Sequence, residues 1–165
     1  MLKKIFKGFL LLLLFAFIII QFFRPAKNKA DGPGANHISK LYAVPGEVKN
    51  ILKTSCDDCH SNNTVYPWYA HVQPVAWWLD NHIKDGKKHL DFSEFASYNL
   101  RRQYHKLEEI DEMVEKDLMP LDSYLWVHKG AKLAPMQRRL IASWVSAVMD
   151  TMKANYPIDS LIRKK

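Results

Sequence analysis

Two thiols three positions apart, with an imidazole directly after the second, form the run Cys56-Asp57-Asp58-Cys59-His60 in this 165-residue chain. That spacing is the attachment pattern of a c-type haem, in which each thiol adds to one vinyl group of the macrocycle and the adjacent histidine donates a ring nitrogen to the iron. The spacing is unforgiving: a cysteine two residues nearer or farther misses its vinyl, and a histidine displaced by one faces away from the metal. One covalently bound haem c is therefore expected, with thioethers at Cys56 and Cys59 and His60 as the proximal iron ligand. A thioredoxin-like thiol pair or half of a zinc site is the competing reading. A redox pair wants a preceding strand in a βαβ pattern, whereas residues 45 to 55 read as helix. A closed zinc site would have to recruit from the scattered His37, His71, His82, His89, His105 and His128, because the chain has only these two cysteines.

The sixth position on such an iron decides its chemistry. Met119, followed by Pro120, comes 60 residues after Cys59. A thioether there would close the iron, favour the ferrous state and raise the potential relative to two imidazoles. Methionine also fills irregular core gaps, and Met113, Met136, Met149 and Met152 fall within helical patterns. Met119 alone sits in a loop beside a proline that can hold the chain extended, so it is expected as the distal ligand, with His82, His71 and His128 as alternatives. The aromatic cluster Tyr66, Trp68, Tyr69, Trp77 and Trp78 reads first as core around the cofactor. Trp68 and Trp78 could also offer an indole N–H to a propionate, and His82, one helical turn after Trp78, could point the same way. Lys87, Lys88, Arg101 and Arg102 could pair with propionates, although solvated surface charge is the default for such residues.

These residues need elements to position them, and the elements read as helical throughout. Val48, Ile51 and Leu52 recur at helical spacing after Pro45 and deliver Cys56 at a helix end. Pro74 opens a second helix with Ala76, Trp77, Leu79 and Ile83, stopped at Gly86. Asp91 with Glu94 resembles a capping box for a third through Phe95 and Leu100. Leu107, Ile110, Val114 and Leu118 mark one face of a fourth whose opposite face is acidic, and Pro135 opens a last helix with the apolar stripe Leu140, Ile141, Trp144, Val145, Val148 and Met152. No segment alternates like a strand.

Covalent haem attachment belongs to the outer side of a bacterial inner membrane, and the amino terminus is read in that light. Ile5 to Phe23 is about 19 residues, roughly 28 Å as helix, preceded by Lys3, Lys4 and Lys7. Residues 1–24 are thus expected to be an uncleaved transmembrane signal anchor with its lysines in the cytoplasm and everything after Arg24 in the periplasm. A cleaved signal peptide is the alternative, though charges follow Phe23 where a peptidase prefers small neutral residues. Residues 25–44, rich in Pro and Gly without apolar periodicity, read as a flexible linker, and 45–165 as the c-type haem-binding domain. The formal charge of +7 falls to +3, from 20 basic and 17 acidic residues, once the anchor's four bases are set aside, which gives no case for nucleic acid.

The set Cys56, Cys59, His60, Ser61, Asn62, Thr64, Tyr66-Pro67-Trp68-Tyr69, Pro74, Trp77-Trp78, His82, Gly86-Lys87, Phe92-Ser93, Met119-Pro120, Tyr124, His128 and Trp144 resembles the bacterial haem-binding domain family of membrane-anchored mono-haem proteins. The resemblance runs from Pro45 to about Trp144, and the order of helices is similar to a class I cytochrome c. Two departures are Asp91, where that pattern tends to have Asn, and Ala134, where Ser usually caps the last helix at a worth of about 1 kcal/mol. The resemblance implies an all-α fold with an N-terminal transmembrane helix and a small cytochrome c-like haem domain. Its function would be single-electron transfer through His/Met-ligated iron, with the membrane and redox proteins as partners and no enzymatic reaction of its own. A haem-based sensor or peroxidase-like enzyme with an open distal site, or a haem-stabilised interaction module, is the alternative.

Overall fold

Proline and asparagine punctuation sets most of the helix boundaries in the computed structural model, which describes residues 1–162. The last three residues of the expected domain, 163–165, lie outside the described residues. In chain order the α-helices are α1 (Leu2–Ile20), α2 (Ile38–Leu41), α3 (Gly46–Ser55), α4 (Asp57–His60), α5 (Val75–His89), α6 (Leu100–Glu115), α7 (Asp122–Leu125), α8 (Pro135–Asn155) and α9 (Ile158–Leu161). Short 3-10 turns at Trp68–His71, Phe92–Ser97 and Lys129–Ala131 connect them. No strand forms among the described residues; the nearest thing is one isolated bridge between Lys29 and Asn63.

The core lies where α6, α8 and α3 meet. Leu107 on α6, Ile141, Val145 and Met152 on α8, and Val48 and Leu52 on α3 are buried together with Phe92 and Phe95 from the 3-10 turn. The indole of Trp144 crosses this junction and donates its N–H to the Ala43 carbonyl at 3.1 Å, pinning the chain just before α3 to the last long helix. The expected third helix shortens to the Phe92–Ser97 turn because Asp91 accepts the Ser93 N–H at 2.9 Å and Asn99 then opens α6 afresh by accepting the Arg102 N–H at 2.9 Å. At α8 the missing hydroxyl of Ala134 is partly offset: Gln137 Oε1 reaches back to accept the Ala134 N–H at 2.8 Å, the second half of a capping box.

The end of α6 aims the Met119 loop. Asp117 takes the left-handed conformation with φ 58°, Leu118 N–H donates to the Met113 carbonyl at 2.9 Å and Asp117 N–H to Val114 at 3.3 Å, a Schellman reversal. Arg138 on α8 holds the Asp117 carboxylate at 2.5 Å. The reversal stops α6 and turns residues 118–121 back toward the domain.

The amino terminus requires a correction. No helix among the described residues is long and apolar enough to cross a membrane, so the expected transmembrane helix is not supported. Lys3, Lys4 and Lys7 lie inside the first two turns of α1 rather than ahead of it, and its uninterrupted apolar stretch, Phe9–Ile20, rises only about 18 Å against a hydrocarbon core of about 30 Å. The chain leaves helix at Gln21 to meet the domain: Gln21 accepts the N–H of buried Gln73 at 3.0 Å, and the Phe23 carbonyl accepts from Gln73 Nε2 at 2.7 Å and Trp77 Nε1 at 2.8 Å.

Residues 25–44 touch the domain at single points. Asn28 donates to the Ser61 carbonyl at 2.7 Å and to Thr64 Oγ1 at 2.9 Å, and Ile38 is buried in the core. Proline and glycine set the turns of this segment, while single side chains at intervals, with no periodicity to betray them, hold it down.

Candidate functional site

Helix α3 runs out at Cys56, whose φ −129° and ψ −43° break the helix, and the single turn α4 follows immediately. That turn is fixed from below. Ser61 Oγ donates to the Asp57 carbonyl at 2.8 Å, Thr64 Oγ1 to the Asp58 carbonyl at 2.6 Å, and the Val65 N–H to Asp58 Oδ1 at 2.8 Å. Both thiols are free and half-buried, and they face a cleft of about 530 Å³. The walls of the cleft are mainly aliphatic and aromatic, with Leu52, Leu79, Phe92, Ile110, Val114 and Ile141 drawn from five different parts of the chain.

His60 lines the same cleft. Its Nδ1 donates to the Leu90 carbonyl at 2.9 Å, which fixes the tautomer and leaves Nε2 as the acceptor nitrogen. Burial pushes the imidazole below its ordinary value, against the opposing pull of the Leu90 and Gly86 carbonyls, so the ring is neutral and can donate a lone pair at neutral pH. The approach of α5 that brings Leu90 there depends on Gly86. A Cβ at Gly86 would stand 2.6 Å from the Cys59 carbonyl oxygen and 3.1 Å from Cys59 Cβ. Helix α5 passes Gly86, where the sequence pattern stopped it, and the glycine serves as its contact point with α4.

Met119 and Pro120 line the same cleft, as does Met113 on α6. Trp78 and His82 contribute from α5; the His82 Nδ1 donates to the Trp78 carbonyl at 2.9 Å, and the two rings lie 4.2 Å apart. His128 also reaches the cleft, but both of its nitrogens are engaged: Nδ1 donates to the Tyr124 carbonyl at 3.1 Å and Nε2 accepts from the Tyr69 hydroxyl at 3.2 Å. His71 does not line it. Trp68 is not brought to the site either; it stands 80% exposed with its ring edge-on to Tyr69. Lys87 is committed to Asn28, Asn62 and Asp91, Arg101 to the Asp159 carbonyl and Arg102 to the face of Tyr98. The cation at the cleft is Lys106, paired with Glu109.

Sequence reasoning passed over Asp58 and gave Tyr124 no role. Tyr124 Oη donates to Asp58 Oδ2 at 2.8 Å, and its ring stacks on His128 with centroids 4.0 Å apart. The signal available was the presence of Tyr124 and His128 four residues apart, the helical spacing that lets rings meet.

Burial raises the Cys56 thiol to about 12 and the Cys59 thiol to about 11, with Asp57 and Asp58 adding to the shifts. It also raises the Asp57 carboxyl to about 6, reinforced by Asp58 and opposed by Lys53. A carboxyl raised on folding lends stability that is fully present below its ordinary value of 3.8 and is lost as pH rises through about 6. Asp57→Asn is accordingly expected to stabilise the protein by about 1 kcal/mol near neutral pH, a value reduced for partial exposure, and to do nothing near pH 4. Denaturant midpoints at the two pH values check this; equal gains at both would refute it.

Among the described residues no group of three or more His, Cys, Asp or Glu is arranged to hold a metal ion, so a zinc site on Cys56 and Cys59 lacks its further protein ligands. The donor set that is assembled, two thiols, one neutral imidazole and a thioether around an apolar slot, fits a flat macrocycle carrying its own metal. Neither a curated protein nor a solved structure matches the chain. A family model does match, over residues 15–147, and it is that of the haem-binding domain. The chain belongs to the haem-binding domain family and binds haem.

Proposed function

We propose that this protein is a mono-haem c-type electron carrier, with haem held by thioethers at Cys56 and Cys59 and by iron ligation from His60 and Met119. The observation that carries the reading is the convergence of both thiols, the free nitrogen of His60 and the Met119 loop on one apolar cleft. Haem bound there supplies one-electron ferric–ferrous chemistry. The chain's own part is to orient and to exclude. Leu90 and Gly86 set the His60 ring, and the aliphatic wall keeps water from the slot, which favours the less charged state of the centre and so a higher potential. A thioether at Met119 would close the position that oxygen or peroxide needs, which is why electron exchange with redox proteins is proposed in place of an enzymatic reaction. The packing of α3, which delivers Cys56, against α8, the last of the long helices, supports the likeness to class I cytochromes c. Because thioether attachment is made outside the cytosol, the domain is assigned to the periplasm.

A pyridine haemochrome spectrum of denatured protein tests the attachment, and Met119→Ala tests the ligation. The variant is expected to bind carbon monoxide readily in the ferrous form and to lose on the order of 0.1–0.3 V of midpoint potential, a fraction of the ~0.8 V that axial ligands span. Native protein that binds carbon monoxide as fast as the variant would instead favour a sensor or peroxidase-like haem.

A further inference from the structure

We propose that the hydrogen bond between Tyr124 and Asp58 staples the distal loop to the haem-attachment turn, making Tyr124 and Asp58 the positioning pair that keeps Met119 on the iron. The inference rests on the reading of Met119 as distal ligand given above.

Asp58 is the second residue between the thiols, so its carboxylate moves with the attachment turn. One carboxylate oxygen is held by the Val65 N–H at 2.8 Å, which leaves the other, Oδ2, to accept from the Tyr124 hydroxyl at 2.8 Å, both residues lining the cleft. Tyr124 sits on α7, five residues after Met119. Its ring lies flat on His128 at an interplanar angle of 12°, and His128 is in turn fixed by the Tyr69 hydroxyl. Ser55, the residue before Cys56, donates to the Ala131 carbonyl at 2.9 Å and closes the far end of the same segment. At the near end stands the Asp117–Arg138 ion pair, so residues 117–131 are tied at both ends and stapled in the middle.

Chemistry narrows the role of the hydroxyl. A phenol has one proton to donate, and here it goes to a carboxylate, the stronger kind of hydrogen bond. Burial and that bond hold the Tyr124 hydroxyl well above its ordinary value, so it stays a donor across the working pH range. With its proton committed, Tyr124 acts on the distal ligand through the loop's position.

The test compares Tyr124→Phe, Asp58→Ala and the double variant as full-length holoprotein, with Met119→Ala and Tyr42→Phe alongside. Tyr42 donates to Gln103 on another part of the domain, so its variant loses a tyrosine hydrogen bond without touching the cleft. Tyr124→Phe and Asp58→Ala are each expected to weaken the red-edge sulfur-to-iron band and to speed carbon monoxide binding at least tenfold. The double variant should be no faster than the faster single one, and Tyr42→Phe should keep the native rate. Native band and rate in both single variants, with only a lower melting temperature, would overturn the staple while leaving Met119 ligation intact. A native rate in Met119→Ala would overturn the ligation and the staple with it.

Discussion

A chain carrying Cys56→Ala and Cys59→Ala together is expected to show, after denaturation, the mass of the bare polypeptide, whereas the native chain shows the added mass of one haem. A thiol can add to one vinyl group only and the chain has just these two cysteines, so the double variant has none left to bond. The loss should reach folding as well as redox chemistry. Leu52, Phe92, Ile110 and Ile141 face the slot, and leaving even a fifth of its 530 Å³ as void would cost about 2–3 kcal/mol, a large part of a domain's usual 5–15 kcal/mol. The double variant should therefore unfold at lower temperature and without a sharp transition. Burial raises Cys56 to about 12 and Cys59 to about 11, so in the folded chain without haem both stay protonated at neutral pH. Native protein with the bare-chain mass, or a double variant that still carries covalent haem, would remove the basis of the c-type reading.

What could be read from the sequence is what depends on spacing along the chain. The run from Cys56 to His60 pointed to haem because a covalently held macrocycle would itself impose that interval, and the long helices α5, α6 and α8 announced themselves through periodic apolar faces, with Pro74 and Pro135 opening the first and the last of them. Contacts across the chain left no such trace. The bond from Tyr124 to Asp58 joins residues 66 apart, and nothing in either neighbourhood distinguishes it from a solvated surface pair. Trp68 looked like cofactor packing because large aromatics are usually covered, yet Pro67 and the 3-10 turn direct it outward while its neighbour Tyr69 turns in. At the amino terminus a count of residues from Ile5 to Phe23 ran across Lys7: three lysines within α1 cut the apolar run to a length short of a bilayer. In residues 25–44 the contacts made by Asn28 and Ile38 are single ones, where periodicity has nothing to detect.

Gly86→Ala is expected to destabilise the holoprotein by about 1–2 kcal/mol, lowering its melting temperature by roughly 3–8 °C, although alanine is the better helix former. Glycine within a helix costs about 1 kcal/mol relative to alanine, and at an open position such as Gly46, with nothing within 4 Å of a new Cβ, the exchange should gain part of that. At Gly86 the balance reverses. The added carbon, fixed rigidly to the α5 backbone, meets the Cys59 backbone carbonyl oxygen at 2.6 Å, so relief requires helix α5 and the turn carrying Cys59 to separate. Overpacking of this kind costs about 1–3 kcal/mol before the helix gain is credited. Separation also draws the Leu90 carbonyl, just past the end of α5, away from His60 Nδ1. The imidazole then loses the bond that fixes its tautomer, so the change should appear in the haem spectrum and potential together with the melting curve. Gly46→Ala supplies the control on a helix that bears no part of this contact. If Gly86→Ala melts at or above the native temperature with an unaltered spectrum, α5 does not depend on the missing side chain to reach the attachment turn, and the close approach at Cys59 has been given the wrong weight.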